Sequence, residues 1–159
     1  LIENGANVNV KGFLNNATPL HLAAENNNIE PAKLLLDNKA DVDVEDKDRN
    51  TPLHIAAKNN SIDVAGLLIE KGADVNAKGR YEETPLHAAV EWESLNVARL
   101  LIERGADIDA TGGAFKGELL LAAAKRNNIE MVKFLIERGV DINAKYNAKY
   151  DSQKTPLHV

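Results

Sequence analysis

Histidine is the residue type in this chain best suited to metal binding or proton transfer. All four histidines end the same tetrapeptide, Thr-Pro-Leu-His; they are His21, His54, His87 and His158. The first three lie 33 residues apart, so in stacked helices they should sit about 10 Å from one another, too far to share a metal ion. Leu121 stands at the same place in another unit. We therefore predict a structural role, in which each imidazole hydrogen-bonds the adjacent backbone and ties a loop to a helix.

Other catalytic parts are missing from the sequence. There is no cysteine, which excludes disulfides, thiolate metal sites and thiol catalysis and fits a reducing compartment. Serine occurs three times, and no motif supplies a base beside any of them. We predict no enzyme activity and no cofactor, and expect an intracellular, cytoplasmic protein.

One acidic run resembles the start of a calcium loop, namely Asp41-x-Asp43-x-Glu45. Asp46 replaces the glycine that such a loop requires, and Pro52 stands where the bidentate glutamate belongs. We therefore interpret the run as a solvated hairpin and predict no metal site.

The tetrapeptide marks an internal repeat. Its starts at Thr18, Thr51 and Thr84 are 33 residues apart, a period typical of solenoids whose units bury their apolar faces only by stacking. The chain opens within one unit and ends within another, so we expect a piece of a longer array. The predicted units are 18–50, 51–83, 84–117 and 118–154, with partial units at 1–17 and 155–159.

The unit 51–83 shows how each copy should fold. Thr51 can cap a first helix whose Pro52 lacks an N–H that would be unpaired anyway. Asn60 suits a left-handed turn, and Ser61 is predicted to cap a second helix. Gly72 then ends that helix with a left-handed residue, before a polar, hairpin-like loop. Each unit should therefore be helix, turn, helix and protruding loop.

These features resemble the ankyrin repeat, whose mark is the 33-residue period with T-P-L-H-x-A. Tails such as Gly72-Ala-Asp-Val-Asn76 also match, and the resemblance covers essentially the whole chain. It implies one all-α repeat solenoid over residues 1–159, in which antiparallel helix pairs stack and hairpin-like fingers project. It also implies a concave groove of fingers and first helices that grips partners.

Several residues depart from the repeat pattern. Lys39, Arg49 and Glu82 stand where glycine is usual, so we expect those turns to differ in shape. Glu118-Leu-Leu-Leu121 replaces the tetrapeptide, so its unit should start loosely, at a cost of about 1 kcal/mol for the cap. Asn143-Ala-Lys-Tyr146 is repeated at once by residues 147–150. This duplication is either a tolerated loop insertion or a lengthened finger that adds two tyrosines to a binding edge.

Aromatic residues give the strongest indication of function. Of the seven, only Phe134 lies at a regular packing position; the others are Phe13, Tyr81, Trp92, Phe115, Tyr146 and Tyr150. Exposed rings are enriched at interface hot spots. The alternative is that each ring folds over its own finger and shields aliphatic neighbours.

Charge is polarised along the chain. Residues 1–110 carry 11 basic and 19 acidic side chains, whereas residues 111–159 carry 8 basic and 5 acidic. This gradient could orient an elongated partner, or it is ordinary surface scatter. The net charge of −5 disfavours nucleic acid, and no stretch indicates membrane binding.

We therefore predict a non-catalytic module that binds a protein partner through the concave groove. The alternative is a structural spacer, or an intramolecular docking segment, of a larger enzyme, channel or toxin. The chain should be monomeric, or associate end to end through apolar terminal units. The predicted binding residues are Phe13, Asp48, Asn50, Lys58, Asn59, Arg80, Tyr81, Glu83, Glu91, Trp92, Phe115, Lys125 and Arg126.

Overall fold

The computed structural model describes residues 7–110 and 119–140, and these form a stack of helix pairs. Short first helices alternate with slightly longer second helices. The first helices are α1 (Pro19–Glu25), α3 (Pro52–Lys58), α5 (Pro85–Glu91) and α7 (Leu119–Lys125). The second helices are α2 (Ile29–Asp37), α4 (Ile62–Glu70), α6 (Leu95–Glu103) and α8 (Ile129–Glu137). The described residues contain no strand, so the predicted all-α repeat solenoid is confirmed.

A finger precedes each of the first helices α1, α3 and α5. The tips of these fingers are finger 1 (12–17), finger 2 (46–50) and finger 3 (79–83), and each tip is closed by one backbone hydrogen bond of 2.8–3.0 Å between its end residues. Finger 3 contains a turn of 3-10 helix at Arg80–Glu82. The fingers are thus tight turns without a strand ladder. Within the described ranges, no helix combines the length and apolarity needed to cross a membrane.

Each first helix begins as the tetrapeptide predicts. Thr51 is the N-cap residue of α3 in extended backbone, and Pro52 opens the helix. The backbone N–H of Thr51 donates to Nδ1 of His54 over 3.1 Å, and the threonine hydroxyl lies 2.9 Å from the same nitrogen. The histidine thus completes the cap, because its ring nitrogen accepts from an N–H that the helix leaves unpaired.

Two of the second helices, α4 and α6, are capped by an asparagine of the preceding unit, which was not predicted from the sequence. Ser61 is the N-cap residue of α4, as predicted, but its hydroxyl makes no capping hydrogen bond. Instead Oδ1 of Asn27, in the preceding unit, accepts from the backbone N–H of Val64 over 3.1 Å. Asn27 is held in the left-handed region at φ 53°. The stack itself therefore satisfies a helix end that a single unit would leave open.

Residues that replace glycine keep the glycine conformation. Lys39 has φ 67° beside 93° for Gly72, and the backbone hydrogen bond that follows the helix is 2.9 Å in both turns. The expectation that this turn differs in shape was wrong. Arg49 and Glu82 likewise share φ values of 63° and 62°, and fingers 2 and 3 differ at Tyr81, which adds a second left-handed residue.

The core runs continuously through the described units. Each first helix packs on the next, from α1 through α3 and α5 to α7, and most of its leucines and alanines are buried. Leu22 of α1 is an exception, since it is 54 % exposed. Phe134 is 1 % exposed, as predicted for the one aromatic at a packing position. Leu121 is also buried, so an apolar residue does fill the histidine position. The residues before Leu119 that would cap α7 lie outside the described ranges.

Candidate protein-binding groove

A groove runs along the side of the stack that carries the fingers and the first helices. It consists of two adjoining cavities of about 240 and 260 Å³, which share Asn50, Ile55 and Lys58. The first cavity lies between the first and second units, and the second cavity lies between the second and third. Seven of the predicted binding residues line them: Asp48, Asn50, Lys58, Asn59, Glu83, Glu91 and Trp92.

The histidines form part of the groove floor and hold the fingers in place. Nε2 of His21 lies 3.0 Å from the carbonyl oxygen of Asn50, and Nε2 of His54 lies 3.0 Å from that of Glu83. Because a carbonyl only accepts, Nε2 carries the proton and Nδ1 is the acceptor for the threonine N–H. These two neutral imidazoles therefore join their own first helices to the next finger, and the predicted structural role is confirmed for His21 and His54. His158 lies outside the described residues.

Burial keeps these imidazoles neutral. It lowers the pKa of His21 and His54, against a smaller opposing effect of the carbonyl each one contacts. Burial, and then the positive charge of Lys78, lower the pKa of His87 to about 4. Nε2 of His87 is buried and makes no hydrogen bond within the described part of the chain. A histidine held neutral by burial is a structural group rather than a proton carrier at neutral pH.

Trp92 forms one wall of the second cavity. It is the C-cap residue of α5 and is 50 % exposed, so the repeat does not bury it. The Lys58 ammonium lies 4.4 Å from the ring centroid, and the Arg126 guanidinium carbon lies 5.9 Å from it. Arg126 also pairs with Glu91 at 3.7 Å. The ring and the charges around it form one connected group.

Glu83 lies in the same cavity, at the end of finger 3. Burial, and then the nearby charge of Glu91, raise its pKa to about 7, while Lys58 opposes the shift. The shift means that the charged carboxylate is poorly compensated in this position, because too little water or positive charge surrounds it. Near neutral pH the second cavity therefore holds a carboxyl group that is partly protonated.

Three of the predicted residues on the finger tips, Phe13, Arg80 and Tyr81, stand outside both cavities. Phe13 is fully exposed, beside Leu14 at 89 %, so this ring does not fold over its own finger. Tyr81 is 69 % exposed, although the Arg80 guanidinium lies 4.8 Å from its ring centroid. Arg80 reaches back to Asp48 at 3.3 Å and so links fingers 3 and 2. Shielding therefore describes Tyr81 only in part and Phe13 not at all.

Two of the remaining predicted residues lie in the fourth unit. Lys125 and Arg126 are exposed at the end of α7 and in the turn that follows it. Phe115 lies outside the described residues, as do Lys116 at the basic end of the charge gradient and the tyrosines of the duplication.

Some residues that line the first cavity were not predicted from the sequence. Leu22, Glu25, Ile55 and Asp46 are among them. Glu25 occupies the same place in its unit as Lys58 and Glu91, so the repeat alignment carried the signal that would have found it. Among the described residues, no three histidine or acidic side chains come together as a metal site. The groove can therefore act through shape, hydrogen bonding and charge.

Comparison with known families agrees with this architecture. A model described as ankyrin repeats (3 copies) matches residues 1–79 and 47–112, and one described as ankyrin repeats (many copies) matches residues 120–159. A search of curated proteins found no match. Since the family matches together span nearly all of the sequence, the chain belongs to the ankyrin repeat family.

Proposed function

We propose that this chain is a protein-binding module that holds a segment of a partner protein in the groove described above. Ankyrin repeats are generally protein–protein interaction modules and are typically non-catalytic. The observation that carries the proposal for this chain is the half-exposed Trp92 in the wall of the second cavity, which adjoins the first. A large ring in such a place gains apolar contact when a partner covers it.

The energetic reason lies in what the ring would lose and gain. A half-exposed tryptophan keeps much of its apolar surface in water, and covering apolar surface is worth about 25 cal/mol per Å². Aromatic residues at the centre of an interface, surrounded by polar groups, are the usual hot spots, where truncation costs about 2 kcal/mol or more. Trp92 has such surroundings in Lys58, Glu91 and Arg126.

Rigidity of the groove supports the same proposal. The imidazoles fix the fingers to the helices, and the fingers also bond to each other. The backbone N–H of Lys47 donates to the carbonyl of Asn15 over 2.9 Å, so fingers 1 and 2 are joined at their tips. A preorganised surface loses little conformational entropy on binding, and this leaves more of the contact energy as affinity.

The test is capture of partners from a cell extract by three versions of the chain, compared by mass spectrometry. These are the wild type, Trp92→Ala and Ile129→Ala. Ile129 is a matched control because it is 61 % exposed on α8 and lines neither cavity. We expect a partner that the wild type and Ile129→Ala retain and that Trp92→Ala loses while still folded by circular dichroism. Equal capture by all three would refute the groove as the binding surface.

A further inference from the structure

We propose, on the basis of the function proposed above, that the partner segment is basic and seats an arginine or lysine side chain in the second cavity. The cation would lie against the Trp92 ring and between the carboxylates of Glu83 and Glu91. This inference names the chemistry of the partner, which the family alone does not give.

The charge of the groove is the first argument. Its two cavities are lined by five carboxylates and by one ammonium group, that of Lys58. Arg80 pairs with Asp48 and Arg126 with Glu91 from the groove edge, so five carboxylates face three cations along the groove as a whole. The excess lies in the first cavity, and in the second cavity the partner cation takes the place of Lys58. The five carboxylates belong to Glu25, Asp46, Asp48, Glu83 and Glu91.

That excess of negative charge determines which partner segments can bind in the groove with a small desolvation penalty. A neutral or acidic segment would remove water from these carboxylates without supplying a counter-charge, and such desolvation is expensive. A basic segment replaces the lost water with charge-assisted hydrogen bonds. Complementary charge would also guide the segment into register before contact.

The Trp92 ring supplies a second argument, which does not depend on the acidic residues. Its face already attracts a cation of the chain itself, since Lys58 Nζ lies 4.4 Å from the centroid. The Lys58 side chain is exposed, so it can move aside toward the first cavity, which it also lines. A partner cation could then take the same place over the ring, where cation–π contact favours arginine and lysine.

The state of Glu83 agrees with this placement. Its raised pKa reflects burial and the charge of Glu91, which Lys58 only partly offsets. A partner cation that replaces Lys58 over the ring, and lies between Glu83 and Glu91, would take over this compensation and hold Glu83 ionised. The burial that makes a charged Glu83 unfavourable therefore favours a basic segment over a neutral one.

The test uses a random peptide library displayed on phage and selected on the wild-type chain. We expect the selected peptides to share a lysine or arginine. The affinities of synthetic versions of these peptides are then measured by calorimetry. Each peptide is compared with a neutral analogue, in which citrulline replaces the arginine or norleucine replaces the lysine. Loss of a charge-assisted contact worth about 1.5–3 kcal/mol predicts roughly tenfold or greater weakening.

Variants of the chain locate the effect. Glu83→Gln combined with Glu91→Gln should weaken the basic peptide about tenfold and remove most of its preference over the neutral analogue. Glu137→Gln is the control, because Glu137 is an exposed carboxylate on α8 that lines neither cavity. This substitution should leave the affinity for the peptide unchanged.

The outcomes separate this inference from the proposed function. Selected peptides that lack a basic residue, yet depend on Trp92, would overturn the basic partner and leave groove binding intact. Basic peptides that bind the double variant as tightly as the wild type would also overturn it. If no selected peptide depends on Trp92, groove binding itself fails, and this inference fails with it.

Discussion

Acid should destabilise this protein through its buried histidines, and the pKa of His87 allows the loss of unfolding free energy to be calculated. Burial and Lys78 lower the pKa of His87 to about 4, whereas the unfolded chain holds it at the ordinary 6.5. The backbone of Ala110 and the negative charge of Asp107 oppose the lowering of this pKa without cancelling it. At a pH between these two pKa values, His87 is protonated in the unfolded chain and neutral in the folded protein.

The sign and size follow from this difference. The folded pKa is depressed, so the stabilisation is fully present above pH 6.5 and is lost as the pH falls toward 4. The interval of about 2.5 pKa units corresponds to about 3 kcal/mol at 1.36 kcal/mol per unit. His87 is only 7 % exposed, so solvent screens the effect little. The lowered pKa values of His21 and His54 add to it in the same direction.

The assay is urea unfolding of the wild type and of His87→Leu at pH 7 and pH 4, followed by circular dichroism. Leucine is the matched replacement because Leu121 fills the equivalent position in the fourth unit. We expect the free energy of unfolding to fall between the two pH values by about 3 kcal/mol more for the wild type than for the variant. Carboxylates that titrate in this range affect both proteins alike and cancel in the comparison. Equal losses in the two proteins would refute the reasoning.

Three further substitutions test the account of stability, each by denaturant unfolding. Asn27→Gly keeps the left-handed backbone but removes the side chain that caps Val64, so the free energy of unfolding should fall by about 1 kcal/mol. An unchanged free energy of unfolding would contradict the cap between units. Lys39→Gly should raise the free energy of unfolding by up to about 1 kcal/mol, because glycine adopts φ 67° without strain. Arg104→Gly, at φ −99°, is the control and should lower the free energy of unfolding. The opposite order would contradict backbone strain at Lys39. Glu83→Gln should stabilise the chain near pH 9. The raised pKa of Glu83 means that ionising this carboxyl group destabilises the folded protein as the pH rises through about 7, and glutamine cannot ionise. Partial exposure reduces that gain to about 1 kcal/mol, and it should vanish near pH 4; a constant gain would point to another cause.

The repeat made the fold and the groove residues readable from the sequence. The recurring Thr-Pro-Leu-His fixed the start of each first helix, and His54 does bridge helix and finger as predicted. Trp92 stood out because its counterparts in the other units, Asn26, Asn59 and Arg126, are all polar. Period and register thus indicated which side chains face the same way, and this is the information that a solenoid repeats in every copy.

Contacts between units were beyond the sequence analysis. The cap that Asn27 provides to Val64 joins residues 37 positions apart, and no pattern within one unit reveals it. The shape of the Lys39 turn was wrongly predicted because the hydrogen bonds around it outweigh the preference of lysine for negative φ. The raised pKa of Glu83 depends on burial and on Glu91, which only packing determines.

The most direct test of groove binding is site-specific photo-crosslinking to a captured partner. Benzoylphenylalanine replaces Trp92 in one protein and Ile129, on α8, in another, and each is irradiated with the purified partner. The account predicts a covalent adduct from position 92, mapped by mass spectrometry to one partner segment, and none from position 129. Adducts from position 129 alone, with undiminished binding by both proteins, would contradict it.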